Sequence, residues 1–414
     1  MIRVLRVLLL AALALVCVTA PAASRPLGLA ADLPSPAAAL TLSPPAAEPV
    51  ARAADTGISY AGGPVLHHSR THLIFWSPSN HPELGFDPGY AALVERFAGD
   101  VARASRSTAS EFGITGQYHD LGGPAAYAST YAGAVLDTDA APASGCVEPL
   151  PPTGPGWLTC LNDGQLQAEI GRVIARDHLP AGPDDVYFLL TPKGLGDCAD
   201  SSSSECALGG PSRGYCGYHS VTPHNVLYAV IPYNAVSGHC QSSNPRPNHS
   251  TADPALSTFS HEQAEIVTDP LGNGWVNVDG EEIADLCIRE FGPAQGGSGS
   301  GLWNETIAGD HYWLQELFSR FAGACEQRPQ PDRVRIAGPG RAVAGKAITL
   351  VGRAWQPGGR IVAYRWQFGD RLGAHRHRVT VTYDRPGRHR VYLRVTDSSG
   401  NWAYATRMIR ATPR

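Results

Sequence analysis

Three short apolar runs rich in β-branched and aromatic residues, 71–76 (THLIFW), 186–191 (VYFLLT) and 226–232 (VLYAVIP), predict buried strands. Around them the apolar period lengthens: 89–105 predicts an amphipathic helix, 165–177 a second, and about 254–268 a third. Asp253 and Pro254 suit the N-cap and first position of that third helix, and Pro270 stops it. Along it Leu256, Phe259 and Ile266 form an apolar stripe. His261 and Glu265, four residues apart, share a face that points roughly the other way. One side is expected to pack and the other to coordinate.

Past residue 332 the period drops to two. AITLVGRA, IVAYRWQF, RVTVTYD and HRVYLRVTD alternate, with turn signals about every 8–12 residues, the pattern of an all-β sandwich. RPQPD at 328–332 predicts a hinge before it. Strands followed by a polar, ligand-bearing helix predict an α+β domain over 56–327, with long Gly/Ser/Pro loops at 196–215 and 292–302. Residues 24–55 are Ala/Pro/Leu-rich without periodicity, as expected of a disordered spacer or a propeptide. Residues 1–23 carry two arginines, an apolar run and Ala20-Pro21-Ala22, the plan of a secretory signal peptide. The protein is therefore expected to be secreted, and no later segment is long and apolar enough to span a membrane.

Secretion changes how the cysteines are read. Cys17 falls in the signal, which leaves Cys146, Cys160, Cys198, Cys206, Cys216, Cys240, Cys287 and Cys325, an even set in an oxidising compartment. Proximity and order suggest pairing 146 with 160, 198 with 206, 216 with 240, and 287 with 325, and none has zinc-finger spacing. Net charge is only −4, but residues 331–414 hold 17 Lys/Arg against 4 Asp/Glu, and the other 16 and 33 precede them. The basic tail is directed towards acidic polymers, cell-wall polysaccharide ahead of nucleic acid, or is simply a soluble surface written in arginine.

The candidate chemistry lies between Ser260 and Cys287. His261 and Glu265 are candidate metal ligands, and Glu262 holds the place that an HExxH helix gives to the general base. Composition produces an HExxE string only roughly 0.02 times by chance. The plainer reading is an i,i+4 ion pair on a solvated helix face. Against it stands a second acidic cluster: Gly280 is expected to open a short helix on which Glu282 and Asp285 share a face. Glu282 is the first choice for a third ligand, with Asp285 either replacing it or hydrogen-bonding His261. Asp269 is a turn initiator before Pro270 or a neighbour of the site, and His219 a substrate-binding or metal-neighbouring candidate. Zinc suits a three-ligand site with one open position, and the oxygen-rich set also suits Mn²⁺ or Ca²⁺. No Gly-x-Ser-x-Gly elbow, phosphate-binding loop or dinucleotide fingerprint is present.

Three resemblances follow from these residues. Tyr364-Arg365-Trp366-Gln367-Phe368-Gly369-Asp370, with Val381-Thr382-Tyr383, Pro386-Gly387, Val395-Thr396-Asp397 and Gly400-Asn401, resembles the polycystic kidney disease (PKD) domain over most of 333–410. That implies an immunoglobulin-like sandwich with Trp366 in its core and Asp370 in a turn, serving as a spacer or weak polymer binder. Tyr215-Cys216-Gly217-Tyr218-His219, the HExxE motif, Glu282-Ile283-Ala284-Asp285-Leu286-Cys287 and Trp313-Leu314-Gln315-Glu316 resemble the exordium or phosphate-induced protein family across 60–326. That implies an extracellular protein. HEQAEIVTD followed by EEIAD is also similar to the gluzincin peptidase pattern, with Glu265 where the second histidine would stand. The combined expectation is a zincin-like, disulfide-stabilised zinc metallopeptidase acting on protein or peptide substrates. The alternative is a non-catalytic binding protein with a structural cation.

Overall fold

The computed structural model describes residues 58–125, 127–147, 157–199, 205–207, 213–236, 240, 244–356, 359–368, 371–372 and 375–414. The expected signal peptide (1–23) and spacer (24–55) lie outside the described residues, as do Gly369 and Asp370. Five strands form the main sheet: β1 (Ser69–Trp76), β2 (Ser129–Asp137), β3 (Asp185–Leu190), β4 (Tyr218–Val221) and β5 (Leu227–Ile231). They lie in the order β4-β5-β3-β1-β2, all parallel except for the antiparallel edge strand β4. Parallel neighbours need a crossover, and α1 (Tyr90–Arg103) supplies it between β1 and β2.

Helices cover both faces. α1 and α3 (Asp253–Thr268) pack on Leu73, Phe75, Val186, Phe188, Leu190, Ala229 and Ile231, while α2 (Asp163–Asp177) packs on Ile74, Trp76, Leu189 and Val230. The domain is thus a layered, mostly parallel sheet, where the sequence pattern predicts an α+β arrangement. The reason is visible in β3 and β5: each is buried at every position, as a sheet sandwiched between helices requires. α2 is started by Asn162 and Gln165, which bond reciprocally across the first turn. All four expected disulfides are formed: Cys146–Cys160, Cys198–Cys206, Cys216–Cys240 and Cys287–Cys325. The 196–215 region, expected as a loop, contributes strands to a small sheet that also includes Thr159–Asn162.

The tail is a two-sheet β-sandwich. β6 (Asp332–Ala337), β8 (Ala347–Trp355) and β11 (Arg378–Thr382) form one sheet. β7 (Arg341–Val343), β13 (Trp402–Thr412), β12 (Gly387–Asp397), β9 (Ile361–Phe368) and β10 (Arg371–Leu372) form the other. Trp366 fills its core beside Leu350, Val391, Leu393 and Ile409, and its indole N–H donates to the Arg376 carbonyl at 2.8 Å.

The two domains are tied together. Thr108 Oγ1 donates to Asp397 Oδ2 at 2.9 Å, and Asn401 Nδ2 donates to the Thr108 carbonyl at 2.7 Å, all three residues being buried. Asp397 Oδ1 also accepts the Ser399 and Asn401 N–H groups, so one turn of the sandwich both closes itself and docks. Segment 328–332, expected as a hinge, is packed at its start, with Pro329 and Pro331 buried and Arg328 paired with Glu305 at 3.4 Å.

Beside that join Glu111 and Glu305 are buried close together. Burial pushes Glu111 from its ordinary 4.5 up to about 7, against the pull of the hydrogen bond from Ser260 and the charge of Arg328. The native chain therefore keeps a proton that the unfolded chain releases near pH 4.5. Stability contributed below that pH is lost as pH rises through about 7, on the order of 3 kcal/mol. Glu111→Gln is expected to flatten this part of the pH–stability curve measured by denaturant titration. An unchanged slope would assign the dependence elsewhere.

Candidate metal centre

α3 is buried along its whole length. Several of its polar side chains find partners inside the protein: Gln263 accepts from Thr71 Oγ1 at 3.2 Å, Ser260 donates to Glu111 at 2.9 Å, and Ser257 accepts the Gln315 N–H at 3.1 Å. The expected division into a packing face and an open coordinating face is replaced by a core on one side and a polypeptide cover on the other. The helix begins one residue early, with Ala252 at the cap position, and the Asp253 carboxylate instead accepts from Asn248 and Ser250.

Residues 282–287 belong to the cover. The helix expected after Gly280 is only a 3₁₀ turn, Asp285–Cys287. Glu265 explains it: its Oε1 accepts the backbone N–H groups of Ala284 and Asp285 at 3.2 and 3.1 Å, so a carboxylate from α3 caps the turn. Asp285 Oδ2 accepts the Glu282 N–H at 3.1 Å. Glu282 and Asp285 consequently point to different places. Asp285 Oδ1 lies 3.4 Å from His261 Nε2, and Glu282 Oε2 lies 3.5 Å from His219 Nε2.

His219 enters from the edge strand β4. Its partner across the antiparallel pair is Ala229, which faces α3, so the imidazole points the same way. It reaches within 3.2 Å of Glu262 Oε2 and 3.7 Å of Glu265 Oε2. Gly217 makes that approach possible: a Cβ there would sit 2.5 Å from Thr258 Cγ2 and 3.1 Å from both Glu262 Oε1 and Ile231 Cδ1. His261 Nε2 lies 3.1 Å from Glu265 Oε2. Asp269 accepts the Asn273 and Gly274 N–H groups, both at 2.6 Å, as a turn former, while its other oxygen is free.

Sequence reasoning assigned no role to Gln315. Its amide donates to the Ala284 carbonyl at 2.6 Å and lies 3.3 Å from His261 Nδ1, joining the histidine to the turn. Where the ring is neutral and Gln315 donates to Nδ1, the ring's own proton stands on Nε2, facing Glu265 and Asp285. The Trp313-Leu314-Gln315-Glu316 motif was visible, but nothing in its spacing shows what it faces.

The electrostatics are those of a site that draws positive charge. Burial pushes Glu265 up to about 7, with Asp285 adding to it against the pull of His261. Burial, then the charges of Glu265, Asp269 and Asp285, hold Glu282 well above the usual carboxylate range. Burial works to lower both imidazoles, yet the carboxylates outweigh it, so His261 stands well above its ordinary value and His219 is raised. His261 Nε2, Glu262 Oε1, Glu265 Oε2 and both Glu282 oxygens are buried without a hydrogen bond. An uncompensated buried charge costs about 3–5 kcal/mol, and a divalent cation would compensate several at once. Two groups place possible ligand atoms within 4.8 Å of one another: His261, Glu265 and Asp285, and His219, Glu265 and Glu282. The donors fit a cation of the Zn²⁺ or Mn²⁺ kind.

Comparison with known proteins bears on the tail. Residues 328–411 match the family model of the PKD domain, and this part of the chain is a PKD domain. The PKD1 domain of Vibrio anguillarum Epp is 22% identical, covering 20% of this chain and 96% of that one, with a TM-score of 0.18. The PKD1 domain from the Vibrio cholerae metalloprotease PrtV is 25% identical over 20% of this chain and 96% of its own, also with a TM-score of 0.18. The PKD domain of an M14-like peptidase from a Thermoplasmatales archaeon is 18% identical with the same coverage of this chain, 96% of its own, and a TM-score of 0.18. No curated protein is detectably similar to the chain in sequence. No helix among the described residues is long and apolar enough to cross a membrane.

Gly217→Ala tests how closely β4 must approach α3. The added methyl is expected to cost roughly 1–3 kcal/mol by overpacking, read as a lower melting temperature. An unchanged melting temperature would show that strand and helix part without cost.

Proposed function

We propose that residues 56–327 form a secreted, divalent-cation-dependent hydrolase of peptide bonds, zincin-like in using an HExxE helix. The observation that carries this reading is the convergence of His261 Nε2, Glu265 Oε2 and Asp285 Oδ1, with the buried Glu262 next to His261 on the same helix. His261, Glu265 and Asp285 would hold the cation, zinc in the first instance, and Asp285 takes the ligand place for which Glu282 was the first choice. When bound, such a cation polarises a carbonyl and lowers the pKa of a water. Glu262 takes the proton from the attacking water and passes it to the leaving amine. His219, at 3.2 Å, orients the Glu262 carboxylate for that transfer. The four disulfides and the likeness to the exordium family support an extracellular setting.

A second reading has its own support. His261 is 1% exposed and Glu262, Glu265 and Glu282 are 0% exposed, an enclosure that suits a structural cation in a non-catalytic binding protein. His219 at 6% and Asp285 at 9% mark the side from which substrate would have to enter.

For the tail, attachment to an acidic wall polymer is the proposed role. Trp402 and Tyr404 are exposed on β13, the Arg394 guanidinium lies 4.4 Å over the Trp402 ring, and Arg394 and Arg365 pair side by side on β12 and β9. Aromatic faces stack on sugar rings while arginines meet carboxylate or phosphate.

Two experiments test these readings. Glu262→Gln is expected to keep its metal and melting temperature while peptide hydrolysis falls by about 10²–10⁴-fold, whereas His261→Ala also lowers the metal content. Equal metal loss in both would remove Glu262 from its role, and a chelator that lowers stability without any hydrolysis to abolish would favour the structural cation. In pull-downs on wall material, Trp402→Ala with Tyr404→Ala is expected to weaken binding, and wild-type binding to fall as salt rises. Binding unaffected by either change would leave the tail a spacer.

A further inference from the structure

We propose that the cluster holds two divalent cations, not one, with Glu265 shared between them; this rests on the reading that the cluster is a cation site. The donors divide about Glu265. Its Oε1 is fixed by the backbone of Ala284 and Asp285, which turns Oε2 between two imidazoles, 3.1 Å from His261 Nε2 and 3.7 Å from His219 Nδ1. Asp285 stands on the His261 side and Glu282 on the His219 side. Each half, with Glu265, forms a complete three-donor set within 4.8 Å, and the two sets have only Glu265 in common.

Glu282 is the second, independent sign of a ligand. It is fully buried, both of its oxygens lack a hydrogen bond, and the close donor sets place it with His219 and not with His261. A single cation at His261, Glu265 and Asp285 would leave it orphaned.

Charge points the same way. Glu262, Glu265, Asp269, Glu282 and Asp285 are all buried in one region, against two imidazoles. One divalent ion leaves three of these five negative charges uncompensated when all are ionised, and two leave one. Paired divalent ions in hydrolytic sites sit about 3.5–4 Å apart and commonly share a carboxylate, the place that Glu265 Oε2 occupies between the imidazoles. Three carboxylates, one of them shared, and two imidazoles suit Zn²⁺ or Mn²⁺ in both positions.

The test counts ions on the full chain, independently of activity. Protein stripped with chelator is titrated with Zn²⁺ and, separately, Mn²⁺, and bound metal is measured after desalting. Wild type is expected to retain two equivalents and His219→Asn one. Glu282→Gln, nearly isosteric, is the second variant should His219→Asn fail to fold, and is also expected to retain one. With Mn²⁺, wild type should show the broadened electron spin resonance of a coupled pair, and either variant the signal of an isolated ion. One equivalent in wild type, or two in both variants, overturns the shared site while leaving a cation site standing. No bound metal in wild type overturns the cation reading itself.

Discussion

Glu265 sits in the last turn of a helix that solvent does not reach, and its two oxygens have different partners. One accepts two backbone N–H groups of the 284–285 turn, and the other faces two imidazoles. The first bond fixes the cover over α3; the second gathers the charged cluster. A histidine at this position could not accept two backbone N–H groups while also presenting an anionic oxygen to its neighbours. A glutamate at this position, where an HExxH helix would carry histidine, is therefore tied to the way this domain closes over α3.

That closure has a consequence for chemistry. Burial strengthens every charge interaction within the cluster and raises the cost of each unpaired atom. The same cover that buries the cluster would restrict the route of the peptide substrate proposed for it. Gln315 and the Cys287–Cys325 disulfide hold the cover from two sides, one through His261 and the Ala284 carbonyl, the other through the end of the 3₁₀ turn. Opening the site means loosening the Asp285 side, where exposure is greatest among the clustered carboxylates.

The PKD domain is not hung on a free tether. Its Asp397–Asn401 turn offers one carboxylate oxygen to its own backbone and the other to Thr108 of the first domain. Trp402 and Tyr404 remain exposed beside that join, so docking would not compete with the polymer contact proposed for them.

The amino-acid sequence determined the elements whose signal is local. Apolar runs gave β1, β3 and β5, and caps and prolines bracketed the third helix to within a residue of Asp253–Thr268. Neighbouring cysteines, even in number, pointed to four disulfides, and alternation with turn motifs gave the PKD sandwich with Trp366 inside. His261, Glu262 and Glu265 were legible because helical spacing alone puts them together. Tertiary structure decided the rest. β2 carries no legible signal because its exposure alternates while its residues do not, with Ala132, Ala134 and Leu136 outward and Gly133 inward, and β4 carries none because four residues hold no period. The directions that Glu282 and Asp285 take depended on a turn capped by a residue about twenty positions earlier, and the places of His219 and Gln315 depended on strand pairing and on the cover. Those contacts join residues remote in sequence, and no local pattern records them.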